Sequence, residues 1–95
     1  MLPGQVEFVP PRPNPGRENV RLEFSLPHDA RVLLEVFDVA GRIVRSFAEA
    51  PFVAGRHVLV WDHRDNGGLA VPSGVYFVRF QVPGVVQNRK TILIR

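Results

Sequence analysis

Histidine and serine side chains are the first candidates for chemistry, because they supply metal ligands, general bases and nucleophiles. The histidines are His28, His57 and His63, and their spacings match no metal-ligand motif. The serines are Ser25, Ser46 and Ser73, and none lies in a Gly-x-Ser-x-Gly nucleophile motif. We expect His28 and His63 in turns and His57 at the start of a strand, all exposed. We predict no catalytic residue and no bound metal or cofactor, so the protein is not expected to be an enzyme.

Acidic and amide side chains crowd the glycine-rich turn from Asp62 to Gly68, and their oxygens are of the kind that Ca²⁺ prefers. The turn lacks the residue order of a calcium loop, and no bidentate glutamate follows it. Asp65 and Asn66 belong to the residue types that hydrogen-bond the backbone of their own turn. We favour this structural interpretation, with weak calcium binding as the open alternative.

Charge and composition exclude several classes of protein. The 95 residues carry 12 basic and 9 acidic side chains, and Lys90 is the only lysine. The arginines are scattered rather than clustered, so we predict no nucleic-acid binding. Cysteine is absent, which excludes disulfides and thiolate metal sites. No apolar run approaches the roughly 20 residues that a membrane helix needs, so we predict no membrane insertion.

Short apolar runs between prolines and glycines indicate strands rather than helices. Residues 20–26 alternate apolar and polar side chains, which is typical of a half-buried strand. About seven such runs, with turn signals every ~8–12 residues, predict an all-β fold: an immunoglobulin-like antiparallel β-sandwich. We expect one domain over residues 1–95, with a leading strand and proline-rich connection at 1–18 and the main sandwich at 19–95.

Particular turns and strands are expected to fix this sandwich. Asp38 to Gly41 predicts a hairpin loop, in which Asp38 bonds exposed amides and Gly41 takes a positive φ. The partner strand after this hairpin is expected at residues 42–47. Trp61 and Tyr76 lie in apolar strands beside tight turns, so we predict that both are buried between the sheets.

The order of these residues resembles the immunoglobulin-like domain of the flagellar hook-capping protein FlgD and its non-flagellar relatives. The resemblance covers about residues 6–95. The positions that carry it are Asn14, Pro15, Asp38, Gly41, Trp61, Asp62, Asp65, Gly68, Gly74 and Tyr76. It implies mainly structural roles for these residues.

The same pattern is similar to the type A C-terminal sorting domain of the type IX secretion system, which ends in a lysine followed by apolar residues. The matching recognition positions are Lys90, Ile92, Ile94 and Arg95. The resemblance implies the C-terminal module of a larger exported protein, at the cell surface or outside the cell, with a protein partner in the export and attachment machinery. Residues 1–4 lack the charged and apolar regions of a signal peptide, so for an exported domain we expect either a signal upstream in a parent chain or another export route.

Three functions follow as hypotheses: sorting or surface attachment, a structural or assembly role as in hook capping, and an accessory module that binds carbohydrate or protein. Charge beside an end strand guides pairing with a receptor or protects the edge from aggregation, and the sequence does not separate the two. A carbohydrate site needs exposed aromatic rings. The candidates are Phe37, opposite the core side of its strand, and Phe52, expected in a loop.

Overall fold

The computed structural model describes residues 5–17 and 19–94, and all the regular elements in these ranges are β-strands. Most strands end at a proline or a polar turn residue, as the punctuation of the sequence predicted. The strands are β1 (Glu7–Phe8), β2 (Val20–Leu26), β3 (Ala30–Phe37), β4 (Ile43–Phe52), β5 (Gly55–Trp61), β6 (Gly74–Val82) and β7 (Val85–Leu93). The described part of the chain contains no helix long and apolar enough to cross a membrane.

Two antiparallel sheets make up the fold. A three-stranded sheet has the order β1-β2-β5, and a four-stranded sheet has the order β4-β3-β6-β7. Buried side chains alternate with more exposed ones along β3 and β6, because successive residues of a strand point to opposite faces. The buried faces of the two sheets meet in one core. This architecture confirms the predicted seven-stranded immunoglobulin-like β-sandwich.

Two aromatic clusters fill the core between the sheets. Trp61 is fully buried and Tyr76 is 5% exposed, and their rings meet edge to face at 5.4 Å. In the second cluster, the ring of Phe80 lies 5.1 Å from each of the rings of Phe8 and Phe24. The prediction that Trp61 and Tyr76 are buried is therefore confirmed.

Strand β4 extends further than the sequence predicted. It covers Ile43–Phe52 instead of residues 42–47, and its pairing with β3 contains two register irregularities. Such bulges break the two-residue period from which strands are recognised in a sequence. The expected loop position of Phe52 is wrong, because this residue ends the strand and its ring packs on Phe24 at 5.4 Å.

The buried indole gives a direct test of the core. Trp61→Ala should lower the free energy of unfolding by about 3–5 kcal/mol, since it leaves a cavity in a close-packed interior. Loss of the bond from Trp61 Nε1 to the Arg64 carbonyl, 3.0 Å long, adds to this effect. Urea denaturation followed by circular dichroism measures the change. Leu69→Ala, at a position 71% exposed, is the control and should change stability little. Equal unfolding midpoints for Trp61→Ala and the parent would contradict this description of the core.

Candidate functional site

The predicted recognition strand is β7, which lies at one edge of the four-stranded sheet. On its inner side, Thr91 is 1% exposed and Leu93 is 2% exposed. The residues predicted for recognition alternate with them: Lys90 is exposed, and Ile92 and Ile94 are half-buried. Arg95, the fourth residue of the predicted set, lies outside the described residues.

Asn14 to Gly16 lie along the outer edge of β7, and we call this segment the edge clasp. The side chain of Asn14 accepts a hydrogen bond from the Ile92 amide at 2.9 Å and donates one to the Lys90 carbonyl at 3.2 Å. The Gly16 amide donates to the Ile92 carbonyl, and the Gly16 carbonyl accepts from the Ile94 amide, both at 2.8 Å. The clasp therefore supplies the backbone partners that a neighbouring strand would supply.

The edge clasp corrects one expectation from the sequence. An end strand is in principle the part of a sandwich most available for pairing, but the outward backbone groups between Lys90 and Ile94 are already bonded. The sequence drew attention to Asn14 only through the family resemblance. Its two contacts join residues 76 and 78 positions apart, and no local pattern reveals such a pairing.

Gly16 has little room for a side chain. The residue is buried, and a Cβ atom there would lie 3.1 Å from the Pro13 carbonyl oxygen and 3.1 Å from Cγ2 of Val20. Both distances are shorter than ordinary van der Waals contact, and the first involves backbone. A larger residue would therefore push the edge clasp away from β7.

Strand β7 is also bonded across the sandwich to the start of the chain. Arg89 donates from Nη2 to the Phe8 carbonyl of β1 at 3.1 Å. Phe8 is 1% exposed, so Arg89 is bonded to a residue that is itself packed in the core. We call residues 5–17, which precede β2, the leading segment. Two sets of contacts attach this segment to β7: those of the edge clasp and the hydrogen bond from Arg89 to Phe8.

Asp38 organises the hairpin between β3 and β4. Its Oδ1 accepts from the amides of Ala40 at 2.9 Å and Arg42 at 3.0 Å, and its Oδ2 accepts from Nε of Arg42 at 3.0 Å. Gly41 has a φ of 81°, as the sequence predicted for this turn. The hydrogen bond from the Arg42 amide is the main cause that lowers the pKa of Asp38 below its ordinary value of 3.8. Desolvation opposes this shift, and the Ala40 amide and the charge of Arg42 add to it.

The turn from Asp62 to Gly68 satisfies its own backbone. Asp65 Oδ1 accepts from the amides of Gly67 and Leu69, both at 2.9 Å, and Gly68 has a φ of 85°. An oxygen that could bind a cation is thus occupied by amide donors. Among the described residues, no group of three or more acidic or histidine side chains is arranged to hold a metal ion.

This turn is also tied to the edge of β4. The Asn66 side chain accepts from the Ser46 amide at 2.8 Å, and the Asn66 amide donates to the Val44 carbonyl at 3.0 Å. Arg45, which lies between Val44 and Ser46 in β4, donates a hydrogen bond from Nη1 to Asp62 Oδ1 at 3.1 Å. The polar residues of the turn therefore connect β5 to the neighbouring edge of the other sheet.

The expectation of exposed histidines is wrong for His63, and His57, in the strand where it was expected, is less exposed than predicted. His63 is 3% exposed, and its ring meets the Trp61 ring edge to face at 5.2 Å. His57 lies in β5, half-buried, with its ring stacked on Phe24 at 5.3 Å. His28 is exposed, as predicted. The turn after Trp61 folds back over the indole, and this packing buries His63.

The chain enters β6 through a tight turn. Gly74 has a φ of 155°, and the Tyr76 hydroxyl donates to the Pro72 carbonyl at 2.6 Å. Strand β6 pairs on both sides, with β3 and β7, so it lies inside the four-stranded sheet. Gly74 and Tyr76 therefore position the strand on which β7 is built.

Two phenylalanines are cross-strand neighbours on the outer face of the four-stranded sheet, Phe37 in β3 and Phe77 in β6. Phe77 is 37% exposed. The guanidinium of Arg79 lies 4.6 Å from the centroid of the Phe37 ring, a cation–π distance. A carbohydrate platform presents open ring faces, whereas here Arg79 covers one of the two rings.

The paired sheets and the turns built on Asp38, Asp65 and Tyr76 define an immunoglobulin-like module. A family model described as the FlgD Ig-like domain matches residues 13–82. The chain belongs to this family, which confirms the resemblance seen in the sequence. The match includes the edge clasp and ends with β6, so β7 follows the matched region.

Solved structures share this fold at low sequence identity. Dimeric latent PorU from Porphyromonas gingivalis matches with a TM-score of 0.72 and 24% identity, over 99% of this chain and 10% of PorU. PorZ, described as an essential bacterial surface component of the type IX secretion system of P. gingivalis, matches with a TM-score of 0.65 and 24% identity, over 90% of this chain and 11% of PorZ. This chain thus spans about a tenth of either protein.

FlgD from P. aeruginosa matches with a TM-score of 0.60 and 22% identity, over 98% of this chain and 76% of that chain. At these identities the likeness to all three structures is one of fold. Among curated proteins, no sequence matches this chain.

The edge clasp predicts a local and a global effect of one substitution. Asn14→Ala removes two hydrogen bonds to β7 and should lower the free energy of unfolding by about 1–2 kcal/mol. It should also accelerate hydrogen exchange of the Ile92 amide, which NMR measures residue by residue. Asn88→Ala in the same strand, where the side chain accepts one long bond of 3.4 Å from Arg79, is the matched control. An unchanged exchange rate at Ile92 would rule out the edge clasp in solution.

The hairpin predicts an acid-sensitive contribution to stability from Asp38. Because its pKa is lower in the folded than in the unfolded chain, this contribution is fully present above the ordinary value of 3.8 and is lost as the pH falls through the folded pKa. An NMR titration should place the midpoint of the Asp38 carboxyl below 3.8. Arg42→Ala should move that midpoint upward. A titration at or above the ordinary value would be inconsistent with the hairpin geometry.

Proposed function

We propose that this chain is a single-domain, non-catalytic sorting and surface-attachment module at the C-terminal end of an exported bacterial protein. The observation that carries this proposal is the likeness to segments of PorU and PorZ, the second described as a surface component of the type IX secretion system. Each matched segment is about a tenth of its chain, as expected for an accessory module of a longer protein. The partner is a protein of the export or attachment machinery, and the location is extracellular or at the cell surface.

The outer face of β7 is the surface that we assign to this partner. Since the edge clasp occupies the backbone between Lys90 and Ile94, recognition there uses side chains. Lys90 is exposed and lies beside Phe77, and Ile92 lies beside Val75, on the outer face of the sheet. The ammonium group of Lys90 beside the apolar side chains of Phe77 and Ile92 fits a partner that presents a carboxylate within an apolar surface.

The polar groups best suited to catalysis serve the fold instead, which supports the non-catalytic part of the proposal. Asp38 and Asp65 accept hydrogen bonds from backbone amides. His63 packs against Trp61, and Asp62 pairs with Arg45. Function in such a module lies in its surface rather than in a reacting group.

A structural or assembly role is the second candidate. The FlgD structure favours it, because the match covers 98% of this chain and 76% of that chain rather than a small segment of it. In this case the sandwich acts as a spacer or subunit contact, and Lys90 protects the edge of β7 from aggregation.

An export assay separates the two candidates. A passenger protein fused to this chain is expressed in a host with the type IX machinery, and its secretion and surface attachment are quantified. Lys90→Ala should reduce both strongly while the thermal melt changes little, because an exposed charge contributes at most about 1 kcal/mol to stability. Lys90→Arg should restore part of the secretion by returning the positive charge.

Arg31→Ala is the matched control, since Arg31 is also an exposed cation on the outer face of the four-stranded sheet. It should leave secretion unchanged. Equal secretion of the Lys90→Ala fusion and the parent, or equal secretion with and without the whole domain, would refute the sorting role. The assembly role would then take its place.

A further inference from the structure

The sandwich has four sheet edges, and three of them carry protection against pairing with another strand. Strand β1 is only two residues long. The edge clasp covers part of β7, and Lys90 adds a charge there. Strand β4 has two register irregularities, contains Pro51, and is bonded along its edge by Asn66. Each of these features is a known means of blocking strand addition.

Strand β5 has neither the short length, the covering segment nor the irregular register of the other three edges, and its exposed charge is that of Arg56. Its seven residues, Gly55–Trp61, pair with β2 in one continuous register. It contains neither proline nor lysine. Val58 is 39% exposed and Val60 is 48% exposed on its outer face. A regular, uninterrupted edge with exposed valines is a template for another strand.

The pattern of backbone bonds shows which groups of β5 face outward. Arg21 of β2 exchanges both backbone bonds with Arg12, on the side of β2 away from β5. Since the bonding direction alternates along an antiparallel strand, β2 bonds β5 through its even-numbered residues, whose partners in β5 are odd-numbered. Arg56, Val58 and Val60 therefore direct their N–H and C=O groups outward. None of these groups has a backbone partner within residues 5–17 and 19–94.

The outward-facing residues of β5 are complementary to the same residues in a second copy of this strand. When two copies of β5 lie antiparallel about Leu59, Val58 of each copy lies opposite Val60 of the other, and Arg56 lies opposite Asp62 of the other. Outward-facing residues meet outward-facing residues in this register, as a hydrogen-bonded antiparallel pair requires. Opposite charges and β-branched residues directly across a strand pair are favourable.

The two charged side chains are accessible for this pairing. The side chain of Arg56 is 66% exposed and uses Nε for its bond of 3.0 Å to Glu23, which leaves its terminal nitrogens for a second acceptor. The side chain of Asp62 is 46% exposed and uses Oδ1 for Arg45. Both therefore retain donor or acceptor capacity for the other copy.

We infer that β5 is a dimerisation edge, and that its occupant is β5 of a second copy of this chain, related by a two-fold axis at Leu59. The two three-stranded sheets join into one sheet of six strands. The contact is isologous, so it closes on itself as a pair. The far edge of the joined sheet is β1, which is too short to continue the assembly. This inference does not depend on the sorting role.

Sedimentation velocity over a range of concentrations tests the inference. The parent chain should reach a mass twice its 10.7 kDa as its concentration rises. Val58→Lys combined with Val60→Lys puts like charges opposite each other and should abolish the dimer. Val58→Lys combined with Val60→Glu changes the same two exposed positions but puts opposite charges across the pair, and should restore it. Val86→Lys, at a valine 55% exposed on β7, is the control and should leave the dimer intact.

Hydrogen exchange of the parent supplies a readout that needs no variant. The amides of Val58 and Val60 should exchange more slowly at high than at low protein concentration, while the amide of Val86 should not change. A parent chain that stays monomeric at every concentration overturns the inference. The inference is also overturned if the dimer persists in the variant with Val58→Lys and Val60→Lys, if Val86→Lys abolishes the dimer, or if the assembly grows beyond two chains.

Discussion

A sandwich of two open sheets leaves four edge strands, and the backbone polar groups along these edges must be bonded, hydrated or covered. Much of the polar architecture of this protein meets that constraint. The side-chain oxygen of Asn14 accepts a hydrogen bond from the Ile92 amide at the edge of β7. The side-chain oxygen of Asn66 likewise accepts one from the Ser46 amide at the edge of β4. Two asparagines far apart in the sequence thus act in the same way, each as a substitute for a neighbouring strand. The turn from Asp62 to Gly68, which has the residue types of a cation site, is thus part of this edge protection.

The proline-rich beginning of the chain belongs to the sandwich rather than to a linker. Phe8 packs in the core, its carbonyl accepts from Arg89, and the edge clasp continues along β7. Proline suits this segment, because a residue without an amide donor is tolerated where no regular ladder is needed. The face that carries Lys90 and the leading segment are consequently one structural unit, and a change in the edge clasp alters how that face is presented.

The sequence predicted what depends on local patterns. The alternation in β2, the hairpin at Asp38 and Gly41, and the burial of Trp61 all follow from residue type and short-range spacing. Three features did not follow. The bulges of β4 interrupt its period. The burial of His63 depends on the position of Trp61, and the edge clasp joins segments that only the finished topology brings together. For the candidate site, the sequence therefore located β7 but did not indicate that its edge is covered.

The two surfaces proposed for partners lie on opposite sides of the sandwich. Arg89 connects β7 to β1, whereas Arg45 connects β4 to Asp62 at the end of β5. A partner bound through side chains on the face of β7 therefore does not compete with a second copy paired through the backbone of β5. The proposed two-fold pair presents two β7 faces at once, and a partner array that binds one face then meets the other at a raised effective concentration. A module with weak affinity per face gains avidity by this arrangement, without any further contact in the recognition face itself.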